Sequence, residues 1–161
     1  MATNYIPAGY HTATPYLIMS DAARAIDFYK RAFGATELHR YDAPGGKIGH
    51  AEVKVGDSVI MLADEYPDMG YRSPRAIGGT PVSIMLYIED VDTWFKRAVD
   101  AGAKELRPVV DQFYGDRSGT LEDPFGHVWT LATHKEDLSH EEMMKRAQAA
   151  SQKAPQERPQ A

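Results

Sequence analysis

A chain of 161 residues supplies enough material for one core of ordinary size and too little for two. Its net charge of −5 leaves no basic field to hold a phosphate backbone, so nucleic acid is not expected as a partner. The absence of cysteine excludes disulfides, thiolate catalysis and zinc-thiolate sites, and no apolar run reaches signal-peptide or membrane-spanning length, so a cytoplasmic protein without membrane contact is expected.

Tyr16 to Met19 reads as the first strand, with Ser20 or Asp21 as the N-cap of a helix running through Phe33. Ala22, Ile26, Tyr29 and Phe33 share one face of that helix, and Gly34 is placed to close it. Strands follow around Glu37 to Tyr41, Lys47 to Val55 and Ser58 to Ala63, the last two joined by a tight Gly56-Asp57 turn. Asp64 to Pro81 contains Pro67, Gly70, Pro74, Gly78, Gly79 and Pro81, too many breakers for regular structure. It is read as a linker, either a crossover or a lid, and Tyr66, Tyr71, Arg72 and Arg75 suit both. Ser83 to Ile88 is the next strand and Asp90 the next cap; the helix then turns Val91, Trp94, Phe95 and Ala98 toward a core before Gly102 ends it. Strands around Leu106, Arg117 to Leu121 and His127 to Ala132 complete the series. Ser139, with Glu142 three residues on, opens an amphipathic surface helix that reaches Ala150. The last eleven residues, Ser151 to Ala161, hold two prolines and three glutamines but no large apolar side chain, and are expected to be disordered.

The order β, α, β, β, β thus occurs twice, and residues repeat with it. Gly34-Ala35-Thr36-Glu37-Leu38 returns 68 positions later as Gly102-Ala103-Lys104-Glu105-Leu106, and Val59, Leu62 and Ala63 return 69 positions later as Val128, Leu131 and Ala132. The expected fold class is α+β. Two tandem βαβββ modules, 12–64 and 82–133, would form an incomplete eight-stranded barrel-like sheet with helices on its convex side. They would lie in a domain of residues 1–135, followed by a C-terminal helix and tail over 136–161.

The tandem modules, the helix segment Ala25-Ile26-Asp27-Phe28-Tyr29 and the hairpin Glu122-Asp123-Pro124-Phe125-Gly126-His127-Val128-Trp129 resemble the vicinal oxygen chelate superfamily. That superfamily includes glyoxalase I, extradiol dioxygenases, fosfomycin-modifying enzymes and bleomycin-binding resistance proteins, and the chain is most similar to its PhnB-like subgroup. The resemblance implies a small-molecule site on the inward faces of the sheets. It also implies that metal-dependent members place four ligands at positions corresponding here to Thr14, Met61, Ser83 and Thr130. Hydroxyl and thioether groups are weak ligands for ions that want imidazole or carboxylate. Neither a metal nor any other cofactor is therefore expected, and glyoxalase I activity is not expected either.

Alternation along the strands adds the remaining candidates. If Val53 and Val55 pack under a helix, His50 and Glu52 face the other way, as an acid/base or ligand pair or as a plain polar patch. Ser83, Met85 and Tyr87 likewise oppose Ile84, Leu86 and Ile88, and would join Tyr16, Ile18 and Met61 in a lining that suits either a ligand pocket or an ordinary core. Tyr114, in the loop Phe113-Tyr114-Gly115-Asp116-Arg117, could close the mouth or pack on its own domain. His11, His39, His127, His134 and His140 show no metal-binding spacing and read as solvated or structural.

The leading reading is a homodimeric, metal-independent binder of a small hydrophobic or aromatic molecule. The alternative is a lyase or dioxygenase of glyoxalase type whose divalent ion uses His50 and Glu52 with a further donor such as Glu122. A third reading has the pocket filled by its own side chains, with the protein acting through its dimer surface or its tail.

Overall fold

Strand β1 (Tyr16–Met19) runs into Asp21, whose carboxylate accepts the backbone N–H of Arg24 at 3.0 Å and so starts helix α1 (Ala22–Phe33). The computed structural model describes residues 4–153. Helix α1 buries Ala22, Ala25, Ile26, Phe28, Tyr29, Ala32 and Phe33 along one stripe, and Gly34 ends it at φ 62°. Strands β2 (Thr36–Ala43), β3 (Lys47–Val55) and β4 (Ser58–Asp64) complete the first module. Its sheet has the order β1-β4-β3-β2, with β1 parallel to β4 and the other pairs antiparallel.

The following segment is more ordered than its breakers suggest. It contains a 3-10 turn (Pro67–Met69) and a one-turn helix α2 (Pro74–Ile77). Each begins with proline and is closed by a left-handed glycine, Gly70 or Gly78, so the residues that forbid a long helix favour two very short ones.

The second module repeats the plan with β5 (Ser83–Tyr87), α3 (Val91–Asp100), β6 (Lys104–Asp111), β7 (Asp116–Glu122) and β8 (Val128–His134) in the order β5-β8-β7-β6. Asp90 caps α3 through Thr93 N–H as Asp21 caps α1. The duplication extends to the anchoring of the two helix starts. Asp64 accepts Ala22 N–H at 2.7 Å, and 69 residues later Thr133 accepts Val91 N–H at 2.9 Å. Bulges recur too: the register of β2 on β3 slips across Leu38, and that of β6 on β7 slips across Leu106.

The α+β fold of two tandem modules is as expected, and its incomplete barrel consists of two open four-stranded sheets, each hydrogen-bonded only within itself. Helices α1 and α3 each cover one face of their own sheet and pack against one another. The modules are also joined through Asp123, whose carboxylate takes Tyr29 O–H from the first module and Trp129 Nε1–H from the second. Helix α4 (His140–Lys153) takes in Ser151, Gln152 and Lys153, which were expected in the disordered tail; the rest of that tail lies outside the described residues. Ser139 Oγ accepts Glu142 N–H at 3.2 Å, as its N-cap role requires. Among the described residues, no helix is long and apolar enough to cross a membrane.

Candidate ligand-binding site

The register of the first sheet sets three candidate side chains in one row. Tyr16 on β1 and Glu52 on β3 are both partners of Met61 on β4, so all three share a face. His50 joins them by the ordinary alternation of β3, two residues before Glu52, and β3 is bulged only beyond it. Between Tyr41 and Asp42 the partner strand advances one residue while β3 advances two, from His50 to Ile48, across Gly49. The bulge returns Ile48 to the core, where it is fully buried, and leaves His50 on the open face.

These side chains form a hydrogen-bonded chain. Tyr16 Oη lies 2.9 Å from His50 Nδ1, His50 Nε2 lies 3.2 Å from Glu52 Oε1, and Tyr10 O–H donates to Glu52 Oε2. Burial pushes the Glu52 carboxyl up, but the hydrogen bonds from Tyr10 and His50 outweigh it, and the group ends below the usual carboxylate range. An ionised carboxylate only accepts, so His50 Nε2 carries a proton; in the neutral ring Nδ1 is then the acceptor for Tyr16 O–H. Burial, and secondarily Tyr71, raises the Tyr16 pKa, so its phenol remains a donor.

Tyr16 also forms one wall of a cleft of about 410 Å³, shared with Ile18, Gly49, Ala63, Asp64, Tyr66, Met69 and Tyr71. The segment between the modules therefore acts as more than a crossover, since it sets three side chains over the first sheet. Tyr66 and Tyr71 pair backbone to backbone at 3.0 and 3.1 Å, and Lys47 ties the strand below by donating to Glu65 O and lying 5.5 Å from the centre of the Tyr66 ring. Asp64 adds little free polarity, because its two oxygens already take Ala22 N–H and Ile48 N–H. The lining of the cleft is thus aromatic and aliphatic, with tyrosine hydroxyls.

The other candidates lie elsewhere. Thr14 and Met85 line a smaller hollow of about 190 Å³ with His11, Ser58 and Ile60. Met85 and Thr130 are register partners, Thr130 and Thr120 share a hydroxyl contact at 3.2 Å, and Ser83 is exposed opposite Val128. Tyr114 reaches Ser118 at 3.5 Å and packs edge-on against Phe113, so the aromatic loop contacts its own module. Met85 and Tyr87 are exposed, and the hollow that Thr14 lines takes residues of both modules, Ser58 and Ile60 from the first with Ile84, Met85 and Leu86 from the second.

Sequence reasoning missed a second network. Tyr87 O–H donates to Asp116, which is buried, and His134 spans Asp116 at 2.7 Å and Asp137 at 3.0 Å. Only the imidazolium can donate from both nitrogens, and hydrogen bonds to Asp116 and then Asp137 raise the His134 pKa. A raised folded pKa means that the stabilisation is complete below the unfolded value of about 6.5 and is lost as pH rises through the folded value. The melting-temperature difference between wild type and His134→Gln is expected to be larger at about pH 5.5 than at about pH 9. An equal difference at both would refute the clasp.

Two mixed four-stranded sheets from duplicated βαβββ units, with an aromatic cleft on a sheet face, define a protein of the glyoxalase fold class. The chain belongs to the Glyoxalase/Bleomycin resistance protein/Dioxygenase superfamily, whose model matches residues 10–131. It is 44% identical over 146 residues to the Mycobacterium bovis protein Mb0911c, covering 89% of this chain and 93% of that one. Among solved structures it is similar to TioX from Micromonospora sp. ML1, at 29% identity and TM-score 0.61 over 80% of this chain and 100% of that one. It shares its fold with the PhnB protein of Bacillus cereus, at 20% identity and TM-score 0.60 over 76% and 99% of the two chains.

The metal of the family's metal-dependent members does not fit the residues present. Thr14, Met61, Ser83 and Thr130 offer only hydroxyls and a thioether, and among the described residues no three His, Asp or Glu side chains converge as an ion would require. Glu122, the suggested further donor to His50 and Glu52, lines a separate hollow beside Arg75.

Proposed function

We propose that this chain is a small-molecule-binding member of its family, taking a flat apolar or aromatic ligand in the first-module cleft without metal-centred chemistry. The observation that carries the reading is the cleft's composition: Tyr16, Tyr66 and Tyr71 with Ile18 and Met69, a large apolar contact surface with few hydroxyls to orient a ligand. The weak donors at the four family metal positions support its metal independence. An isologous dimer that covers the exposed Met85 and Tyr87 belongs to the same reading, and sedimentation as a monomer at micromolar concentration would remove that part of it.

Binding of 4-nitrotoluene, followed by calorimetry, tests the cleft. Tyr71→Ala removes one aromatic wall, whose contact is worth about 1 kcal/mol beyond its area, so affinity is expected to fall at least about fivefold. Unchanged affinity in Tyr71→Ala would move the site elsewhere. Elemental analysis of protein purified without chelator is expected to find no stoichiometric divalent ion, and one tightly held metal per chain would overturn the metal-independent reading.

A further inference from the structure

We infer that the cleft selects a ligand bearing an acidic hydroxyl, a phenol or an enol, and that Tyr16, His50 and Glu52 take up its proton on binding. The inference rests on the cleft-binding reading above and adds the chemistry of what is bound. Its basis is an alignment of three features: an aromatic cleft, a phenol in its wall, and a base behind that phenol backed by a buried carboxylate.

The proton balance is simple. The ligand hydroxyl gives its proton to Tyr16 Oη while the Tyr16 proton passes to His50 Nδ1. Tyr16 ends as it began, a neutral phenol, now donating to the ligand oxyanion. His50 becomes an imidazolium held between Tyr16 Oη and Glu52 Oε1, and no bond to carbon changes. Before transfer the site holds one negative charge, on Glu52; afterwards it holds Glu52, the imidazolium and the ligand anion, and its net charge is the same. Moving the proton therefore leaves the net charge unchanged and adds one ion pair, the ligand oxyanion and the imidazolium on either side of Tyr16 Oη. What decides the outcome is the difference in acidity between the ligand and imidazole.

An ordinary phenol is too weak an acid to give up its proton to an imidazole and would stay protonated. Ligands whose hydroxyl is as acidic as imidazolium give it up, hence the selection for acidified phenols and enols. Tyr10 has a defined part here: donating to Glu52 from outside the sheet, it helps hold the carboxylate ionised behind His50. The groups that face the imidazole are Tyr16 on β1, Tyr41 on β2 and Glu52 on β3, while His39, the register partner of Glu52, also acts on that carboxylate. Tyr16 is the one member of the chain that reaches both His50 and the cleft, so it touches the ligand and the other three act through it.

The probe is 4-nitrophenol, whose nitro group makes the hydroxyl far more acidic than that of tyrosine and whose anion absorbs visible light; 4-nitrotoluene is its non-ionisable counterpart. At a pH where free 4-nitrophenol is mostly neutral, the bound form is expected to show an anion-to-phenol ratio at least about tenfold higher than in solution, corresponding to one pK unit. His50→Gln keeps a polar group but removes the base, and Tyr16→Phe breaks the shuttle at a half-exposed residue whose loss leaves the core intact. Both are expected to return the ratio to its solution value, and His50→Gln, whose side chain does not line the cleft, to do so while 4-nitrotoluene still binds. If both probes bind equally and bound 4-nitrophenol stays neutral, or if the anion persists in His50→Gln, the relay is overturned and the cleft reading stands. If neither probe binds at millimolar concentration, both readings fall.

Discussion

Replacing Asp123 by alanine is expected to cost about 4 kcal/mol of folding stability, because it strips four donors of one shared acceptor. Oδ1 takes Phe125 N–H at 2.9 Å and His127 N–H at 3.0 Å inside the β7–β8 turn; Oδ2 takes Tyr29 O–H at 2.6 Å and Trp129 Nε1–H at 2.9 Å in the core. Of the two turn amides, only that of His127 is partly exposed and can reach water once the side chain is gone. Tyr29 and Trp129 cannot, since both are essentially fully buried with their rings 5.3 Å apart. Leaving each buried donor unsatisfied costs about 1–3 kcal/mol, and those two account for most of the loss. Asparagine is a poor substitute. If its amide oxygen serves the turn, its NH₂ points at Trp129 Nε1–H, which cannot accept, so about 2–3 kcal/mol should still be lost. Tyr29→Phe keeps three of the four bonds and is expected to cost about 1–2 kcal/mol. Urea titration with unchanged slope measures all three; a loss below about 1.5 kcal/mol for Asp123→Ala would show that water replaces the carboxylate freely.

That hub shows what sequence could and could not reveal. The hairpin around Asp123 was visible as a turn and as part of the family resemblance, and Tyr29 was visible as a core face of α1. Their meeting across 94 residues was not, because contact between modules depends on how α1 seats against α3, and neither helix's periodicity encodes its partner. The strand and helix order was readable because Asp21, Gly34 and Asp90 act locally: each satisfies backbone groups within five residues. Tyr16, His50 and Glu52 came out on one face because alternation from Val53 holds for the two intervening steps. The bulge at Gly49 would have misled any extrapolation one residue further, and Ile48 is where it fails. Tyr10, Tyr66 and Met69 reach the site from segments outside the repeat, whose backbone follows turn chemistry and no period. A repeat fixes what each module is and not which faces meet, so it could not sort Tyr16, which lines the cleft with Tyr66 and Tyr71, from Thr14, which lines another hollow with Met85.

Gly115→Ala is expected to cost about 2–3 kcal/mol, and to do so by releasing the segment that leads into α4 while the sheet beside it persists. Gly115 sits at φ +97°, and a Cβ there would lie 2.5 Å from the backbone oxygen of Glu136. Backbone strain at such a φ costs about 1–2 kcal/mol for alanine, and the overlap cannot be met by rotating a side chain because the obstacle is main chain. The cheaper escape is for residues 135–137 to move away. That surrenders the bonds from Lys135 N–H at 2.9 Å and Glu136 N–H at 3.0 Å to Gly115 O, with the His134 contact to Asp137. Each backbone bond is worth about 0.5–1.5 kcal/mol net, so release caps the penalty near the figure given. Amide exchange at Lys135 and Glu136 is therefore expected to accelerate far more than at Leu121 or Leu131, deep in the β7–β8 ladder. Two further variants separate strain from overlap. Asparagine tolerates positive φ better than alanine but carries the same Cβ, so Gly115→Asn should be no milder than Gly115→Ala. Gly56, at φ +59° with nothing within 4 Å of its ideal Cβ, should accept asparagine at a cost of no more than about 0.5 kcal/mol. If Gly115→Asn is mild as well, the contact with Glu136 is not what holds the segment, and α4 is tethered by its own ion pairs, Arg146 with Glu136 and Glu142.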